Sequence, residues 1–374
     1  MKNYPKGVFA LVVFALFSCA KDDGVDIEVS NEPNINITLV GEDLERVYQY
    51  EYDSSSGLEV QSDLTQELGL GSSYLTLRQK GDVLSFYIFS SGNFSLIQKN
   101  VETGQSSINS NFYTENNERN ILWGTNDDEN IYLGIFEPQG TSNFGVLTID
   151  NANGMQRQLM IEEDIQISYQ PIYHQGKLLL TYRDGLDNYK VAVVETATNN
   201  VIKRLDFGEL VPNIFIDGMD DVVILKSESG ENYSYTIYDT NTFEQIEEVE
   251  FPLTRYFDPG ILTARFIGKE LFYYSLYVQP AEVRFGPASF NFTTNSETLV
   301  DMERIVRQVE AESGKSIQLL SQGIDEQTGS YLVGYVEVND NDQLEGGALI
   351  ISSKGELIKN IELPFVPTYF LIKD

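Results

Sequence analysis

Seven stretches of this 374-residue chain repeat one pattern: alternating apolar residues, a small polar turn often carrying Gly, then a further apolar segment. They read YEYDSSSGLEV from Tyr50, IQKNVETGQSS from Ile97, LTIDNANGMQR from Leu147 and VVETATNNVIK from Val193. They continue as TIYDTNTFEQI from Thr236, FNFTTNSETLV from Phe290 and IISSKGELIKN from Ile350. The turns open at Asp53, Asn100, Asp150, Glu195, Asp239, Thr293 and Ser352, spaced 47, 50, 45, 44, 54 and 59 residues apart. Period-two alternation closed by a Gly or Asn turn is a β-hairpin signal. Gly57, Gly104 and Gly154 fall at one equivalent place, where a positive φ is cheapest for glycine. Two further strands precede the hairpin in each unit, as in NIFIDG and DVVILKSE, or within QPIYHQGKLLLTYRD. Four short strands in about 45 residues make a propeller blade.

The chain is therefore expected to be all-β, a β-propeller over 35–374. The ends set the blade count. FVPTYFLIKD resembles the blade-opening LVPNIFIDG from Leu210, yet no further strands follow it. NITLVGED, ERVYQYEYD and GLEVQSDL supply three strands at the other end without an opening one. One shared blade resolves both, with its inner strand from 367–374 and its outer three from roughly 35–64. That closes seven four-stranded blades and removes the free edges. Six blades with a loose N-terminal strand pair is the alternative.

Two segments near 277–315 break the regularity. YVQPAEVRFGPASF from Tyr277 lengthens a middle hairpin, and LVDMERIVRQVEAESGK from Leu299 follows. Met302, Ile305, Val306 and Val309 sit at i, i+3, i+4 and i+7, one apolar face of a short helix.

Ahead of the repeats, Lys2 and Lys6 precede GVFALVVFALFS, too short to cross a bilayer, which takes about 20 apolar residues. A basic start, a short apolar core and a small residue at its end describe a secretory signal peptide over 1–18. LFSC resembles the lipobox of bacterial lipoproteins, with Leu16 and Ser18 ahead of Cys19. The resemblance implies lipidation of Cys19, and several acyl chains anchor lastingly where one is marginal. CAKDD resembles the acidic export tag of Bacteroidota surface lipoproteins, with Lys21, Asp22 and Asp23 in its positions. It implies an outer-membrane lipoprotein facing the exterior; a periplasm-facing one is the alternative. Residues 19–34 read as a lipidated, flexible tether. Such lipoproteins commonly serve beside TonB-dependent transporters, so the resemblance also implies a transporter partner and a nutrient ligand, at the level of analogy.

Composition narrows the partners. Net charge is −32, and −34 once Lys2 and Lys6 leave with the signal peptide. Such a chain repels nucleic acid and anionic headgroups. With one cysteine there is no internal disulfide, so stability must come from the core.

No motif commits the chain to chemistry. His174 in PIYHQGK is the only histidine, without HxH or HExxH spacing around it, and it reads as structural or solvent-exposed. No G-x-S-x-G, Walker A or G-x-G-x-x-G occurs. TNDDEN at 125–130 and VNDNDQLEGG at 338–347, with Asp340, Asp342 and Glu345, are acidic turns that a calcium ion could use. The second departs from the EF-hand pattern, placing Glu345 where Gly belongs. No cofactor or metal ligand set is assigned. The candidates for ligand binding are bulky or basic residues near loops at one mouth of the channel: Arg119, Trp123, Tyr169, Tyr173, Arg255, Tyr256 and Arg284. Aromatics with arginines suit sugars, aryl groups, carboxylates or a protein partner. A packing role inside the blades is the competing reading. The sequence thus points first to a non-enzymatic binding or accessory protein. A propeller hydrolase or lyase using a pair of funnel carboxylates comes second, and an interaction scaffold third.

Overall fold

The computed structural model describes residues 34–72, 74–115, 118–229, 232–278, 280–338 and 344–371. The lipobox, Cys19 and the Lys21–Asp22–Asp23 tag lie outside the described residues. So do Asp340 and Asp342.

Seven antiparallel sheets form a ring, a seven-bladed β-propeller. Blade 2 spans 76–114, blade 3 120–162, blade 4 165–208, blade 5 212–252, blade 6 264–299 and blade 7 316–363. Blade 1 is shared, in the order Leu58–Asp63, Val47–Asp53, Asn36–Glu42, Val366–Phe370. Its closing pair joins Leu39 to Phe370 and Val40 to Tyr369, antiparallel, so the six-blade alternative falls away. The outermost strands are the polar, solvent-facing ones; Leu58–Asp63 has no buried residue.

Each blade has two apolar faces, because each sheet is covered on both sides by its neighbours. Seven clusters of buried side chains result, one in each gap between blades. Blades 2 and 3 meet through Tyr87, Phe94, Leu133 and Ile149. Blades 7 and 1 meet through Ile350, Leu363, Leu39 and Tyr50, so the closing gap is packed like the others.

The last hairpins of blades 1 to 6 turn alike, and that of blade 7 is one residue shorter. Asp53, Asn100, Asp150, Asp239 and Asn291 each accept hydrogen bonds from backbone N–H groups two or three residues on. Each turn then passes through a left-handed residue: Gly57, Gly104, Gly154, Asn199, Phe243, Asn295 and Gly355. In blade 6 the turn opens at Asn291, two residues before the expected Thr293. The carboxamide of Asn291 can bond the turn backbone in the way the aspartates do, and the Thr293 N–H is one of its donors.

The predicted helix is present as Met302–Ser313, between blades 6 and 7, with Met302, Ile305, Val306 and Val309 buried. Asp301 caps it by accepting from the Arg304 N–H, and Gly314 ends it at φ +71°. It covers the gap beside Tyr274, Phe285 and Leu319.

Candidate functional site

The blade-to-blade connections and the middle hairpins open on one face of the ring. The first and last hairpins of each blade turn on the other. Six of the seven candidate residues belong to the first face or to strands leading from it. Tyr173 belongs to the other, two residues before the Gln175–Gly176 turn. There its ring stacks on Tyr132 at 6.0 Å, and the neighbouring His174 Nε2 lies 2.8 Å from the Asp220 carbonyl oxygen.

Three of the remaining six are spent on packing and pairing. Trp123 is 2% exposed, edge-on to Phe144, and donates its indole N–H to Ser168 Oγ at 3.1 Å. It packs blade 3 on blade 4, so no ligand reaches it from the loops. Arg119 places Nε 2.7 Å from Glu137 Oε2 and Nη2 3.2 Å from Gln158 Oε1, tying a connection to the middle hairpin of blade 3. Tyr169 stacks on Tyr189 at 6.4 Å and packs beside Gly260.

Arg255 and Tyr256 do come together, in a hollow of about 290 Å³. One wall is the connection from blade 5 to blade 6, Thr254 to Tyr256. The other is the long middle hairpin of blade 6, with Leu276, Tyr277, Val278 and Ala281, and Leu299 closes it below. The walls are joined where the Leu276 N–H donates to the Tyr256 carbonyl at 2.9 Å. The hairpin is pinned by Tyr277, whose N–H donates to the Arg284 carbonyl and whose hydroxyl donates to the Val300 carbonyl at 3.1 Å. That hydroxyl lies against Gly286, where any Cβ would overlap it.

Arg255, Glu297, Tyr273 and Tyr277 beside the hollow already have hydrogen-bond partners. Arg255 holds both oxygens of Glu297 through Nε and Nη2, each at 2.8 Å, the bidentate geometry that guanidinium and carboxylate planes share. The Tyr273 hydroxyl donates to the same carboxylate. The hydrogen bond to Glu297 raises the Arg255 guanidinium above its ordinary value. Burial, then the bond to Glu297, pushes the Tyr273 phenol far up. Burial pushes Tyr277 up to about 12. At neutral pH these groups keep fixed protonation states and fixed partners. Both Glu297 oxygens are thus engaged by Arg255, and one by Tyr273 as well.

The open surface is apolar. Tyr256 is 61% exposed, Val278 69% and Leu299 46%. Arg284, on the same hairpin, is exposed, and its guanidinium has no partner among the described residues. The hollow can therefore stack or cover a flat apolar group, with a cation on its flanking loop. Sequence reasoning missed Val278, Leu299 and Glu297; the unusual length of the hairpin from Tyr277 was the signal available.

Several described carboxylates of the acidic turns already have partners. Asp127 accepts from the Glu129 and Asn130 N–H groups and the Tyr132 hydroxyl, and Asp128 pairs with Lys80 at 2.8 Å. Glu345 lies 3.5 Å from Lys315. Among the described residues no three His, Cys, Asp or Glu side chains gather to hold a metal.

No protein-family pattern and no curated protein sequence matches this chain. Solved structures do match in fold. A putative 6-phosphogluconolactonase from Bacteroides fragilis NCTC 9343 is 12% identical, with 90% of this chain and 98% of that chain covered and a TM-score of 0.50. A structure from a study of two prolyl endopeptidases is 10% identical, with a TM-score of 0.49; 81% of this chain aligns to 44% of that one. TolB from Acinetobacter baumannii is 12% identical, with 90% and 80% covered and a TM-score of 0.40. At such identities the likeness is one of propeller architecture.

Proposed function

We propose that the protein is a non-enzymatic binding propeller, lipid-anchored at Cys19 on the outer membrane, that presents a ligand to a TonB-dependent transporter. The observation that carries the binding reading is the hollow beside Arg255. Arg255 and Glu297 are locked to one another while Tyr256, Val278 and Leu299 stay exposed. A site whose carboxylate is already committed is poor at proton transfer, which needs a base within reach of substrate. An exposed aromatic and two aliphatic side chains around a concavity suit recognition instead. The flat face of Tyr256 suits an aryl or sugar ring, and Arg284 suits an acidic group beside it. The address rests on LFSC and CAKDD alone.

The test is a mild-detergent pull-down of the full-length protein from its native outer membrane, with mass spectrometry of what accompanies it. A TonB-dependent channel in near-stoichiometric amount is the expected result, lost on Tyr256→Ala with Val278→Asp if the hollow is the contact. Retention of the channel in that double variant assigns the hollow to the ligand alone. Recovery without any channel rejects the accessory role. Release of Cys19→Ser into the soluble fraction tests the anchor separately.

A further inference from the structure

Arg78 lies on Thr76–Lys80, the innermost strand of blade 2, which borders the central channel. Its Nη1 donates to the Leu77 carbonyl at 3.0 Å. Its Nε and Nη2 are buried and have no hydrogen-bond partner among the described residues. In a chain of 57 acidic residues this is an unusual placement. Arg255 and Arg119 spend this same Nε–Nη2 edge on a carboxylate, Glu297 and Glu137 respectively. Arg265, on the innermost strand of blade 6, pairs with Glu326. Among the described residues no carboxylate meets the edge of Arg78.

Its surroundings are set up for a charge to be met there. Opposite residues of antiparallel neighbours share a face, so Arg78, Ser85 and Gln98 form one polar row turned toward blade 3. Gln98 Nε2 lies 3.3 Å from Ser85 Oγ, and Ser85 is 2% exposed. The Tyr87 and Tyr369 phenols are near enough to act on the guanidinium electrostatically, and their hydroxyls are committed elsewhere, to Asn126 and Gln79. Lys80, two residues on and on the same face of the strand, adds a second cation, shared with Asp128. Burial pushes the Arg78 guanidinium down to about 10, so it still carries its charge at neutral pH. Leaving a buried charge unpaired is among the costlier arrangements in a protein.

We propose that Arg78 anchors an anion site on the channel wall of blade 2, taking the carboxylate of a small, singly charged ligand on its Nε–Nη2 edge. The edge is planar and spaced for two oxygens, as Arg255 demonstrates within this molecule. The field of a −32 chain opposes a multiply charged anion far more than a monoanion. The residue as a whole is partly exposed while Nε and Nη2 are closed to solvent, so the site requires the guanidinium to turn its edge toward the channel when the ligand arrives. This site is separate from the hollow in blade 6 and does not rest on the function proposed for it.

Calorimetric titration of the full chain with acetate tests the assignment, with inorganic phosphate and with chloride at equal ionic strength in parallel. Saturable acetate binding is expected, unmatched by chloride and tighter than for phosphate. Arg78→Gln should abolish it. Arg78→Lys keeps the charge without the fork and should weaken binding at least about tenfold, with the unfolding midpoint confirming that the fold is retained. The proposal fails if acetate behaves as chloride does, if phosphate binds more tightly, or if Arg78→Lys binds acetate as the native protein does.

Discussion

At the scale of single residues, the same side-chain type takes opposite roles according to what the neighbouring blade places against it. Trp123 is the clearest case. Gly134, its near neighbour on the adjoining strand, leaves room for the indole, and a Cβ there would overlap the ring. Gly134→Ala should therefore destabilise the protein by about 1–3 kcal/mol, the usual cost of overpacking a filled core, read as a lower midpoint in denaturant melts. The sequence places Trp123 near a loop but cannot say which face of its strand it leaves by, or that Ser168 waits 3.1 Å from its N–H. Arg119 is opaque for the same reason, since Glu137 and Gln158 arrive from elsewhere in the blade. Arg255 and Tyr256 do line the hollow, but their different fates there, one locked and one exposed, depend on Glu297.

At the scale of elements, far more is legible, because hairpins are local. Alternation and turn chemistry sit within a dozen residues, and the four helix residues Met302, Ile305, Val306 and Val309 are buried as their spacing predicts. The register of one turn was misplaced, by two residues at Asn291, where Asn and Thr are both common turn openers. The turns also explain an exception. Six of the seven left-handed positions carry Gly or Asn, but blade 5 carries Phe243 at φ +54°. Its ring is 2% exposed and stacks on Tyr238 at 5.0 Å. Phe243→Gly should relieve about 1–2 kcal/mol of backbone cost yet forfeit about 3–5 kcal/mol of ring burial. The net effect should be a lower thermal midpoint. In Gly104→Ala, where nothing lies within 4 Å of an added Cβ, only the backbone cost should be seen, as a smaller fall.

At the scale of the whole molecule, the closure decides stability. The ring is held where Val366–Phe370 pairs with Asn36–Glu42 and where Leu371 and Phe370 enter the clusters on either side. An outer clasp adds Lys359, 3.2 Å from Glu59 and 4.1 Å above the Tyr52 ring. Removing 366–374 should expose the paired edge of Asn36–Glu42 and open two apolar gaps. The expected result is a broad, early thermal transition together with concentration-dependent association on gel filtration, since an uncovered strand recruits another chain. Retention of a sharp native-like melt would show that the ring holds without the Val366–Phe370 strand. This closure was readable because FVPTYFLIKD copies a blade opening. The hollow in blade 6 was not, because it is formed by two loops meeting, and neither loop records the other.

The shared blade also acts as a clock. Leu39 waits for Phe370, 331 positions downstream, before its strand has both neighbours. Six blades can form in the order of synthesis, but the first to begin is the last to finish. Contacts so distant in sequence are slow to make. Until 366–370 arrive, the chain is an arc whose two ends are both adhesive.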